Sequence, residues 1–146
     1  MAHYPVPSDP KYDSQFSAIG RLVETWAQLE FHIDQAIWQV AQVEQMFGAC
    51  ITAQMIGVNG RLRALRSLLQ VWGAPESHID AIGKFAGSLR GLQQRRHRVA
   101  HDPRMVNAGT GALERLQITA DNKLVFGFEM EDTESLKETR NKSQQK

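Results

Sequence analysis

The sequence predicts an all-α fold, an up-and-down bundle of three long helices, with a β-hairpin added at its C-terminal end. Three observations carry this. Apolar residues recur at steps of three and four from Ile19 to Val40, from Ile51 to Trp72 and from Ile82 to Val99. The pattern then changes to period two between Leu116 and Met130. Glycine and proline punctuate the chain at the changes of pattern, at Gly48, Gly73-Ala74-Pro75 and Asp102-Pro103. Steps of three and four mark one face of a helix, and strict alternation marks a half-buried strand.

The first helix is expected from Ser14 to about Phe47, capped by Asp13 or Ser14. Its stripe is Ile19, Leu22, Trp26, Leu29, Ile33, Ile37 and Val40, widened by Ala36, Val43 and Phe47. At 1.5 Å per residue it would be about 50 Å long, the spine of a bundle. The second is expected from about Cys50 to Trp72, with a kink or break around 57–60, where Gly57 and Gly60 interrupt it. Gly73 ends it and Pro75 opens the third, which runs from Pro75 or Glu76 to about His101. Asp102-Pro103 stops that helix, because the residue before a proline is pushed out of the helical region. The hairpin places Leu124, Phe126, Phe128 and Met130 on one face, with turn chemistry at Ala120–Lys123. A lone hairpin is marginal in water, so this face must pack on the helices or on another chain. Residues 1–13 hold three prolines and read as an extended or disordered lead-in; residues 14–103 are the helical bundle; residues 104–146 are the hairpin and a polar tail expected to fray.

Composition narrows the function classes. With 146 residues the chain suits one domain, and 42% hydrophobic against 23% charged residues lets it form a core. The formal net charge is only +1, so any surface for nucleic acid must come from local clustering. The single cysteine, Cys50, lies in an apolar run and is expected to be a buried structural thiol in a reducing compartment. No apolar run approaches the ~18 residues needed to span a bilayer, and the start of the chain lacks the apolar core of a signal peptide. A cytoplasmic protein with no membrane association is the expectation.

The chemistry concentrates in Gln94–Arg104. The apolar stripe of the third helix, Ile82, Phe85, Leu89 and Leu92, continues to Val99 with Arg96 at a seam position. An unpaired guanidinium in a seam is costly and asks for a partner or a task. His101 lies five residues on, just before Asp102-Pro103, and His97 follows Arg96 directly. Arg95 and Arg98 suit either phosphate binding or a cationic helix end favoured by the macrodipole, and Arg104 extends the cluster. Glu30, beside the stripe of the first helix, could orient Arg96 through a bidentate pair; Asp34 could serve instead, or both could be solvated flank residues. His97 and His101 at i, i+4 also suit a metal, but no second cluster of ligands is evident. The three tryptophans read as core or dimer-face residues, and Arg61, Arg63 and Arg66 as a solvated face.

A long-helix bundle ending in Arg96-His97-Arg98-Val99-Ala100-His101 resembles the HEPN superfamily (higher eukaryotes and prokaryotes nucleotide-binding domains), over about residues 14–103. Many members are metal-independent endoribonucleases, and others are binding modules without activity. The resemblance implies Arg96 and His101 as the active pair with His97 assisting, RNA as substrate, and no cofactor. It also implies a toxin or defence role with an antitoxin or other protein partner. The chemistry is coherent on its own terms. Cleaving RNA without a metal needs a base for the 2′-OH, an acid for the leaving 5′-oxygen and positive charge on the transition state. Histidine supplies either of the first two and arginine the third. Residues five apart lie about 140° from each other around a helix, so Arg96 and His101 do not share a face, whereas His97 and His101 do. One helix therefore makes a poor site. Two copies meeting across a two-fold axis, expected through the helices, would pool two arginines and two histidines. The alternatives are a non-catalytic HEPN-like module for nucleotide, RNA or protein, and a structural dimerisation bundle whose cationic tip binds an acidic partner.

Overall fold

The computed structural model describes residues 2–121, 123–130, 136–138 and 141–142. The fold is mostly helical with one small antiparallel sheet. In chain order the elements are β1 (His3–Pro5), a 3-10 turn (Pro10–Tyr12), α1 (Asp13–Ala41), α2 (Gln45–Thr52), α3 (Gly57–Val71), α4 (Glu76–His101), β2 (Arg104–Asn107), β3 (Leu113–Asp121) and β4 (Lys123–Met130). Contacts divide the chain into two compact units, Met1–Val23 with Gln94–Gln145, and Glu24–Gln93; α1 and α4 each run through both.

The Glu24–Gln93 unit holds the larger apolar cluster. Trp26, Ile33, Ile37 and Trp38 of α1 meet Val58, Leu62 and Leu65 of α3 and Leu89 of α4. These are the stripes the periodicity marks. The first helix is shorter than expected: it stops at Ala41, because Gln42 adopts a positive φ of 54° and the Val43 amide donates back to the Trp38 carbonyl. Glu44 then caps α2 by accepting from the Met46 amide at 3.2 Å. Val43 lies past the end of α1 yet still packs against the cluster, as expected, whereas Phe47 is exposed. The expected second helix is two helices, and the break expected around 57–60 falls just before it, at residues 53–56. Gly57 opens α3 at φ +67°, a conformation that glycine adopts without steric cost. The end of α3 follows expectation, with Gly73 at φ +66° and the Ala74 amide donating to the Leu69 carbonyl.

Gly48 is where α2 closes on α1. The Trp38 indole donates to Thr52 Oγ1 at 3.2 Å, and Thr52 donates to the Gly48 carbonyl at the same distance. A Cβ at position 48 would lie 2.5 Å from Trp38 Cγ and Cδ1. Gly48→Ala is expected to cost about 1–3 kcal/mol by overpacking. Urea unfolding checks this, and an unchanged midpoint would mean that α2 is not held this closely.

The sheet has the order β1-β2-β3-β4, antiparallel throughout. The C-terminal hairpin is thus half of a four-stranded sheet, and the lead-in supplies an edge strand, with His3 opposite Asn107. Tyr12, Val106 and Leu113 form a small buried cluster here, and Leu22, Val99 and Leu136 another. Leu136, inside the tail expected to fray, is only 2% exposed. The rest of that expectation, over residues 133–135, 139–140 and 143–146, lies outside the described residues, as does Asn122 of the hairpin turn. Cys50 is exposed, not buried, because α2 turns it away from the cluster.

His3 Nε2 lies 2.8 Å from Glu114 Oε2, and Asn107 Nδ2 donates to Glu114 Oε1 at 2.9 Å. The bond from His3, and secondarily that from Asn107, holds the Glu114 carboxyl below the usual carboxylate range. A carboxyl depressed in the folded state adds stability that is present above its unfolded value, near pH 4, and is lost as the pH falls through the folded value. Wild-type protein is therefore expected to lose more stability between pH 6 and 3 than Glu114→Gln. Thermal melts across that range test this; parallel profiles would remove the pair from the account.

Candidate active site at the end of the fourth helix

The last turns of α4 are regular to His101, where the Asp102 amide donates to the Arg98 carbonyl at 2.9 Å and Pro103 follows. Regularity preserves the angular relation read from the sequence. Val99, between the candidate residues, is buried against Leu22 and Leu136, and it fixes the rotation of this end of the helix. Arg96 is half-buried, whereas His97, Arg98 and His101 are exposed. The Arg96 Nε is buried and has no hydrogen-bond partner among the described residues. A buried donor left unpaired costs about 1–3 kcal/mol, so its presence calls for a reason. The His97 and His101 rings lie side by side, their centroids 4.6 Å apart and their planes tilted by 47°. Two neighbouring imidazoles on an exposed face can hold and release protons toward one ligand.

Immediately beyond the helix is a charged cluster that the sequence reading missed. Arg115 of β3 is 7% exposed and donates from Nη1 to Asp102 Oδ2 at 2.6 Å and from Nη2 to Glu129 Oε2 at 2.5 Å. Two carboxylates offset this buried guanidinium, in the manner that burial of a charge requires. Arg104 Nη1 donates to the Asp102 backbone carbonyl at 3.3 Å. The clamp ties the residue after α4 to β3 and β4 and so anchors the segment bearing His101. Its only sequence signal was an arginine alternating with Leu113 and Gln117 along a strand. Arg95 is half-buried and adds a small lowering to the Glu138 carboxyl, whose main cause is its bond to Lys142.

The proposed carboxylate partners of Arg96 are engaged elsewhere. Glu30 accepts from the Trp26 indole N–H at 3.1 Å, and Asp34 accepts from Arg61 Nε at 2.7 Å. Arg61 also donates to the Met55 carbonyl, so it is a structural cation of the α2–α3 connection and not part of a solvated face. Among the described residues, no group of three or more His, Cys, Asp or Glu side chains is arranged to hold a metal ion, and no helix is long and apolar enough to cross a membrane.

Comparison with known proteins finds no matching family model, no matching curated protein and no matching solved structure.

Proposed function

We propose that the chain is a metal-independent endoribonuclease of HEPN type, with a composite active site at a homodimer interface. The observation that carries this reading is the half-buried Arg96, its Nε without a partner among the described residues, on the same last turns of α4 as two exposed imidazoles that lie side by side, His97 and His101. In this reading the three long helical spans form an up-and-down bundle. Arg96 faces the charge that develops on the phosphorane. His101 is the principal proton-transfer group and His97 assists it. Arg95, Arg98 and Arg104 hold flanking phosphates. The product is a 2′,3′-cyclic phosphate and a free 5′-hydroxyl: the 2′-oxygen forms the new bond to phosphorus, the 5′-oxygen leaves, and one imidazole takes a proton while another gives one. A cytoplasmic role as a toxin or defence component, restrained by an antitoxin or other protein partner, completes the proposal.

The test is incubation of purified protein with RNA in excess EDTA, followed by analysis of product ends. Cyclic 2′,3′-phosphates support the reading; intact RNA counts against it. One observation favours a second reading, a non-catalytic HEPN-like module for nucleotide, RNA or protein: burial at Nε restrains the Arg96 head, as suits a fixed contact. That reading expects RNA binding without turnover, steeply salt-dependent and lost on Arg96→Ala.

A further inference from the structure

Within the Glu24–Gln93 unit, α1, α2 and α3 enclose a half-open cavity of about 380 Å³. Three of its wall residues are small, Ala41 of α1, Gly48 of α2 and Ala64 of α3, and they leave space that longer side chains would fill. Packed interiors hold few voids larger than a water molecule. A space of this size falls instead in the range of ligand pockets.

The inside of the cavity suits only an apolar guest. Its walls carry two polar side chains, Trp38 and Ser67. The Trp38 indole N–H is already given to Thr52 Oγ1, and the Thr52 hydroxyl to the Gly48 carbonyl. A water placed deep inside would lack the two to four polar partners that hold one. At the mouth, Ile51 is 50% exposed and Val71 85%, so apolar surface continues outward. A patch of this kind marks a binding site more often than an idle surface.

Charge at the edge is one-sided. No charged residue occurs in α2, and the charged residues of α3 are Arg61, Arg63 and Arg66. Arg61 is held by Asp34 and by the Met55 carbonyl, and the Arg66 guanidinium lies against Gly83 of α4. Glu44, the carboxylate before α2, accepts from the Met46 amide. That leaves Arg63, which is exposed and has no partner among the described residues. Ser67, in the wall, is also exposed and without a partner among them. Four residues apart on one helix, the two are neighbours on its surface and can serve one anion.

We propose that this cavity binds a medium-chain fatty acid, with the hydrocarbon chain inside and the carboxylate held at the mouth by the Arg63 guanidinium and the Ser67 hydroxyl. Allowing about 30 Å³ for a group the size of a water or a methylene, the space takes on the order of a dozen carbons. The site uses no residue of the α4 end and does not depend on the ribonuclease reading.

Isothermal titration of the full chain with octanoate, decanoate, dodecanoate and tetradecanoate tests the proposal. One ligand per chain is expected. Each added methylene should tighten Kd about three- to fourfold until the cavity is full, near twelve carbons, and gain little beyond. Dodecyltrimethylammonium, with the same tail and the opposite head, should bind about five- to tenfold more weakly than dodecanoate. Arg63→Gln, an exposed substitution, should weaken dodecanoate about threefold and leave dodecanol unchanged. Ala64→Phe fills the cavity and should abolish binding while circular dichroism stays that of wild type; the ligand series carries the test if that variant does not fold. No dodecanoate bound up to about 1 mM, affinity independent of chain length, or several equivalents bound overturns the proposal. So does equal binding of dodecanoate and dodecanol in wild type and Arg63→Gln alike, which would make the cavity a seat for the apolar side chain of a protein partner.

Discussion

Replacing His101 by alanine is expected to lower metal-free RNA cleavage by about 10²–10⁴-fold, the usual contribution of a positioned acid or base. The variant should keep its fold, because His101 is exposed at the final residue of α4 and the helix end is held by backbone bonds and by the Arg115–Asp102 pair. RNA binding should survive, since the phosphate-holding arginines remain. Arg96→Ala should lose activity to a similar extent for a different reason: it removes positive charge from the transition state and also relieves a buried unpaired donor. Its fold should therefore be as stable as wild type, or more so. Activity lost together with stability gained is a signature that a merely structural arginine does not give. Single-turnover cleavage in EDTA, paired with thermal melts, reads both quantities.

Trp26→Ala is expected to cost about 3–5 kcal/mol and to lower the melting temperature by roughly 10 °C. Trp26 is 1% exposed at the start of the larger cluster, and its indole N–H is held by Glu30. Truncation empties the cluster and leaves the half-buried Glu30 carboxylate without that donor. Trp26→Phe keeps much of the packing and loses the hydrogen bond, so its cost should be nearer 1–2 kcal/mol. Denaturant unfolding of the pair separates the two contributions. A loss below about 1 kcal/mol for Trp26→Ala contradicts the view that this cluster holds the unit together.

Periodicity made the helical stripes legible, and the residues it marked from Trp26 to Ile37 and from Leu62 to Leu65 are core. It failed where a break keeps the phase. Phe47 continues the α1 spacing but is exposed, because Gln42 turns the chain through a positive φ without a glycine or proline to announce it. The strand at His3–Pro5 was hidden because its partner, β2, lies about a hundred residues away, and local prolines argue only for extended backbone. Leu136 was overlooked for a related reason: one leucine in a polar tail has no period, and only Leu22 and Val99 give it a place. Alternation identified the apolar face of the hairpin correctly and said nothing about which way that face points.

At the candidate site, the arginine in a greasy seam was legible from spacing alone. Glu30 and Asp34 were picked as its partners from their place beside the stripe of the first helix, a signal that does not show the bonds they make to Trp26 and Arg61. Arg115 is the residue that organises the end of α4, and a pattern centred on α4 contains no sign of it. Long-range ion pairs of this kind follow from the strand register.

The shared site is tested most directly by complementation between two inactive subunits. Arg96→Ala and His101→Ala proteins, each inactive alone, are mixed, allowed to exchange subunits, and assayed for RNA cleavage in EDTA. Pooling of groups across the two-fold axis predicts that the mixture regains cleavage, because each mixed dimer carries one intact arginine and one intact histidine. A mixture that stays as inactive as its components, with subunit exchange verified, contradicts the composite site.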